Sequence, residues 1–286
     1  MAAPPTQEQE EEPVSHTFRR VVKWLVYPLL FLNLLFYIND DFYRAVQVFF
    51  GDLYLFEWII EFASSIDTLA SFVIIITLEL ETYVIDDKDW KGWIAGAIQS
   101  TRYVGYALLG VAALGYFTSV VHNHRNLGRV DIDSLCSLVG DEVSFVYNLN
   151  YTVVDADNCA GLSRESAFFY MGEESIVTTA SGLQLERILS WIDAVDAVAW
   201  LLVLVSIELV IRLQDRRSIG GQRFRAIYKA KIGFYTVLLL NAAIWAYLSH
   251  WFYVWDALVW IGAFLVIEMN VNQWRDEIRD EMLAAG

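Results

Sequence analysis

Six stretches of this chain run for about 20 residues with almost no charge, the length an α-helix needs to cross the hydrocarbon core of a bilayer. They fall at 22–39, 62–85, 102–121, 191–213, 232–250 and 252–272. Hydrocarbon offers the backbone no hydrogen-bond partner, so a spanning segment must satisfy its own amides, as a helix does. The expected fold is therefore an all-α integral membrane protein with six transmembrane helices and one structured extracytoplasmic loop. Its expected organisation is a disordered acidic tail (1–18), a transmembrane bundle (19–121 and 191–272), the loop (122–190) and a C-terminal tail (273–286). The stretch 40–61 mixes aromatic and charged residues and is expected at the interface.

Basic residues set the orientation, because the cytoplasmic loops of membrane proteins are enriched in Lys and Arg. With the N-terminus inside, fifteen of the 20 Lys and Arg residues face the cytoplasm and five face out. Both termini are expected to be cytoplasmic, with the chain in the plasma (inner) membrane. The net charge of -15 repels a polyanion and argues against a nucleic-acid partner. Part of that charge is Glu8, Glu10, Glu11 and Glu12 in the tail. The tail lacks the basic start and small-residue cleavage site of a signal peptide. The expected surroundings are the lipid bilayer, with room for a homo-oligomer or a membrane complex.

Three segments share a pattern. Asp67, Asp196 and Asp256 are each followed twelve positions later by Glu79, Glu208 and Glu268, with an apolar run between. The helix before each carries a basic residue four positions ahead of a Tyr: Lys23 and Tyr27, Arg102 and Tyr106, Lys231 and Tyr235. Asn33 and Asn241 each lie six beyond their Tyr, where the middle segment has Ala112. This reads as three helical hairpins in parallel repeat, and repeats of this kind place sites where the copies meet.

The outer acidic positions Asp67, Asp196 and Asp256 are expected at helix N-termini, where a carboxylate offsets the dipole and bonds free amides. The Glu positions face the unfavourable end of the dipole and sit in apolar sequence, where a charge needs a partner. Lys23, Arg102 and Lys231 are the expected counter-charges, and Arg212, four residues after Glu208, is a local alternative. Asp and Glu twelve residues apart lie about 120° apart around a helix, so both cannot point squarely into one narrow pore. Glu81 and Asn270, fourteen residues after Asp67 and Asp256, return to the Asp face, whereas helix 4 has Val210 there.

In the loop, Cys136 and Cys159 are the chain's two cysteines and are expected to pair in an oxidising compartment. The alternation over 143–154 predicts a short β-hairpin turning near Asn148 and Asn150. No nucleophile–base spacing, P-loop or dinucleotide motif is present, and no cofactor or resident metal is expected. His122, His124 and His250 are read as polar punctuation at helix ends.

The expected function is a channel or transporter for protons or cations, with Glu79, Glu208 and Glu268 as the charge-handling groups. The alternative is a non-transporting scaffold or accessory subunit whose outer loop binds a partner. An enzyme is the weaker reading.

Overall fold

The structure is a computed structural model that describes residues 13–48, 55–85, 91–125, 128–165, 167–215 and 221–284. It is a helical bundle with a small β-sheet at one end. The helices are α1 (Pro13–Val48), α2 (Leu55–Glu61), α3 (Ala63–Glu79), α4 (Gly92–Asn123), α5 (Cys159–Leu162), α6 (Ala180–Asp215), α7 (Gln222–Tyr247) and α8 (Trp251–Ala284). Among the described residues, five helices are long and apolar enough to cross a membrane, over Trp24–Val48, Gly92–Asn123, Ala180–Gln214, Gln222–Tyr247 and Trp251–Gln273. Leu25, Leu32, Leu114, Leu240 and Leu265 are each more than half exposed on the bundle's flanks. An apolar belt of this kind requires lipid to cover it, so the chain is a membrane-embedded protein.

The second apolar run is carried by α3, a helix of 17 residues. It is continued at one end through Phe62 into α2, where Phe62 N–H donates to Trp58 O at 2.9 Å and Ile66 N–H to Phe62 O at 2.9 Å. At the other end it passes into a π-helical turn, Leu80–Val84. Small residues bring α4 close against this rod. A Cβ at Gly115 would stand 3.0 Å from Ile59 O and 3.1 Å from the Ala63 Cβ, and one at Gly105 would stand 2.7 Å from Ile74 Cγ1. The bundle core joins Leu30, Ile74, Ile75, Val203, Ile207, Phe264 and Ile267, drawn from α1, α3, α6 and α8.

The helices run beyond several of the expected boundaries. Helix α1 already starts at Pro13, inside the tail expected to be disordered, because Pro is well tolerated in the first helical turn. Residues 1–12 lie outside the described residues. Helix α4 reaches Asn123 and α6 starts at Ala180, which shortens the expected 122–190 loop at both ends. The added part of α6 buries Glu186 and Leu189 on one face. Helix α8 runs on to Ala284, through the expected C-terminal tail, where Arg, Glu, Met and Leu are strong helix formers.

The fold is also not purely α. The connection between α4 and α6 folds into a five-stranded sheet of order β1-β4-β5-β2-β3. Its strands are β1 (Arg129–Val130), β2 (Ser144–Tyr147), β3 (Asn150–Val153), β4 (Phe168–Met171) and β5 (Glu173–Thr179). Strands β2 and β3 form the expected hairpin, and β2 pairs in parallel with β5. Asn148 and Leu149 at its turn both have positive φ, 54° and 60°, matching the right-handed twist of the strands. The turn is held in place, since Leu149 N–H donates to Glu186 Oε1 at 3.0 Å and Asn148 Nδ2 donates to Leu248 O at 3.2 Å. Val130, Leu135, Phe145, Phe168 and Val177 fill a separate small core.

Cys136 and Cys159 are joined by a disulfide that spans 23 residues of this layer. Removing both as Cys136→Ser and Cys159→Ser should destabilise the layer by about 3 kcal/mol through loop-closure entropy. Limited proteolysis should then cut within the sheet layer while the helical bundle survives.

Candidate functional site

The polar groups of the bundle collect in two layers separated by its apolar core. One lies toward the sheet and contains the three repeated Asp residues. The other lies toward the opposite end and contains the three repeated Glu residues. Twelve helical residues place the two layers about 18 Å apart along the axis.

At the end away from the sheet, each described counter-charge meets a carboxylate. Arg102 is 3% exposed, and its guanidinium clamps three helices. Its Nη1 lies 3.0 Å from Glu208 Oε2, its Nη2 contacts Glu81, and Nη2 and Nε donate to Thr77 O (3.1 Å) and Oγ1 (3.3 Å). Arg212 Nε takes the other oxygen of Glu208 at 2.9 Å. Lys231 Nζ lies 2.9 Å from Glu268 Oε2, and the Tyr235 hydroxyl donates to Glu268 Oε1 at 2.8 Å. Glu79 is buried and accepts from Asn270 Nδ2 at 2.9 Å. Helix α1 brings Lys23 to this end, but its side chain lies outside the described residues. Sequence spacing had linked Glu81 and Asn270 only with the Asp face. The π-turn at Leu80–Val84 re-aims Glu81 onto Arg102 instead.

Toward the sheet, the structure corrects the expected role of the Asp residues. Asp67 and Asp256 lie in the second turns of α3 and α8, and Asp196 is deep within α6, far from its start at Ala180. Two of them hold side chains of neighbouring helices rather than free helix-end amides. Asp256 accepts from Asn33 Nδ2 (2.6 Å) and the Tyr37 hydroxyl (2.9 Å), both on α1. Asp196 accepts from Asn241 Nδ2 on α7 (2.9 Å) and Trp200 Nε1 (3.0 Å). The third has no such partner, because the corresponding residue is Ala112, fully buried where α4 presses on α3. No hydrogen bond or ion pair reaches the Asp67 carboxylate among the described residues.

These carboxylates line a partly enclosed cavity of about 150 Å³. Asp67, Asp193, Asp196 and Asp256 contribute to its wall, with Glu61 and Glu186 nearer the sheet. Trp200, Trp245 and Trp260 supply aromatic surface. Arg44 is the one basic side chain on the wall among the described residues. It is already committed, with Nη2 2.9 Å from Asp41 Oδ1 and Nε 3.2 Å from Glu61 Oε2. Asp41, 1% exposed, also accepts from the Ser65 amide (2.9 Å) and hydroxyl (2.6 Å). None of Glu79, Glu208 and Glu268 lines the cavity.

A second hollow of about 220 Å³ lies beside the first. The two share Arg44, Leu149, Tyr151 and Tyr253, so the β2–β3 turn stands at the mouth of the acidic cavity. Burial raises the Tyr151 hydroxyl pKa, with Glu186 and Glu61 adding to it. Burial lowers that of His250, against the pull of Asp40. Both shifts favour the neutral forms, so at neutral pH these two groups act at the mouth as hydrogen-bonding groups.

Sequence reasoning missed Asp41, Arg44 and Glu186. Asp41 and Arg44 lie three apart on α1 in a stretch that reads as interfacial, and only the packing of α2 and α3 against them reveals their burial. Comparison with family models, curated proteins and solved structures finds no match to this chain.

Replacing Arg102 with Gln would take the buried guanidinium away from Glu81 and from Glu208, which keeps only the half-exposed Arg212. The expected loss is about 3 kcal/mol of stability, because a stranded carboxylate keeps its desolvation penalty without the offsetting attraction. Thermal unfolding in detergent checks this. Arg102→Gln combined with Glu208→Gln and Glu81→Gln should recover much of the loss.

Proposed function

We propose that this chain is a multi-pass protein of the plasma membrane that takes a cation or proton from the extracytoplasmic side into the acidic cavity. In this reading it has six spans arranged as three parallel-repeat hairpins, with α2, α3 and the π-turn together forming the second span. The sheet faces outward and both termini are cytoplasmic. The observation that carries the reading is the cavity itself. Four Asp side chains line a hollow in an apolar bundle, and the one basic side chain on its wall among the described residues, Arg44, is already paired. Carboxylates inside a membrane are costly and attract positive charge, which makes them candidates for an ion path.

The roles expected for the repeated residues shift accordingly. Asp67, Asp196 and Asp256 take up the charge. Glu79, Glu208 and Glu268, with Arg102 and Lys231, form the closed inner layer, which must part for a cation to leave. The apolar layer between them is the seal.

The scaffold reading is favoured by one specific observation: the inner ion pairs are buried and the core above them is continuous. Flux in proteoliposomes separates the two. Under an imposed gradient, wild type should carry protons or monovalent cations above the level of empty liposomes. Asp256→Asn should cut that flux about tenfold or more by removing a membrane-embedded charge. A folded wild-type protein that carries no common cation would instead support the scaffold.

A further inference from the structure

The cavity's walls narrow the kind of cation it suits. Asp196 and Asp256 have both carboxylate oxygens engaged by Asn, Trp or Tyr donors. Asp67 and Asp193, both half-buried, have no hydrogen bond or ion pair among the described residues, and both line the cavity. They occupy different levels. Asp67 interacts electrostatically with Asp196 and Asp256, whereas Asp193 interacts with Asp196, Arg44 and Glu186. Asp193 lies three residues before Asp196 on α6, about 4.5 Å nearer the sheet.

The two unengaged carboxylates both line one hollow, with Asp193 about one helical turn nearer the sheet than the level of Asp196. Its sides are aromatic, with Trp200, Trp245, Trp260 and Tyr253 on the wall. Aromatic faces attract ammonium groups and pack against methylenes. Divalent metal ions such as magnesium and calcium instead need several oxygens converging within about 2.0–2.6 Å. No group of three or more Asp, Glu, His or Cys side chains is placed to hold a metal ion among the described residues.

We propose that the ligand of this cavity is a short aliphatic diamine in its doubly protonated form. One ammonium meets Asp193 near the mouth, and the other meets Asp67 at the level of Asp196 and Asp256. The methylene chain lies along the tryptophans. A cavity of 150 Å³ takes a ligand of roughly six non-hydrogen atoms, the size of benzene, which matches a diamine of about four carbons. The inference rests on reading the cavity as a cation site and names its substrate class.

The test is calorimetric titration of the full chain in detergent with 1,4-diaminobutane, 1-aminobutane and magnesium chloride separately. The expected result is saturable binding of the diamine, weakened roughly ten- to a hundredfold by either Asp67→Asn or Asp193→Asn. The monoamine should bind at least about tenfold more weakly, and magnesium should not displace the diamine. Diamine binding that ignores both substitutions, equal binding of mono- and diamine, or displacement by magnesium would overturn the proposal. Should both variants fail to fold, a wild-type series from 1,2-diaminoethane to 1,8-diaminooctane decides. An optimum near four carbons supports the proposal, and affinity that simply rises with length overturns it. Monovalent flux without diamine binding would overturn this inference and leave cation uptake standing. Diamine binding without flux would support it and remove the transport reading.

Discussion

A charge inside an apolar bundle must be partnered, and the architecture of this protein follows from how that requirement is met. Arg102 shows the principle most fully. Buried to 3% exposure, it binds Glu208, Glu81 and the Thr77 backbone at once, joining α3, its π-turn, α4 and α6. Lys231, Tyr235 and Glu268 do the same for α7 and α8. These groups are mutually dependent, because removing one partner strands another in a medium that cannot solvate it. The inner layer is thus a set of polar cross-ties below an apolar core.

The same rule is met incompletely at the other end. Asn33 and Asn241 satisfy Asp256 and Asp196, but the close approach of α4 to α3 puts Ala112 where the third Asn would be. Tight packing and a full set of polar partners compete at that position, and packing wins through Gly105 and Gly115. Asp67 is left facing the hollow. The break in the sequence pattern falls where a carboxylate has no hydrogen bond or ion pair among the described residues.

Much of this was legible in the sequence. The twelve-residue Asp-to-Glu spacing placed both layers, and the basic residues ahead of Tyr106 and Tyr235 marked partners that the structure joins to Glu208 and Glu268. The two cysteines and the alternation at 143–154 marked the disulfide and one hairpin. What escaped depended on contacts distant in sequence. The parallel β2–β5 pairing, the burial of Asp41 and Arg44, and the turn of Glu81 onto Arg102 arise from elements that meet only in three dimensions. Asp196 was expected at a helix N-terminus because the apolar run of α6 starts about ten residues after the helix itself, and hydropathy marks the membrane boundary rather than the first helical turn.

The central claim is that the Asp layer is open to water from the sheet side while the Glu layer is sealed from it. Cysteine accessibility measures this directly. A membrane-impermeant thiol reagent applied to the sheet side should label Ser64→Cys, on the cavity wall, and spare Thr77→Cys, buried beside Arg102. Labelling at both positions, or protection of Ser64→Cys, would contradict the account.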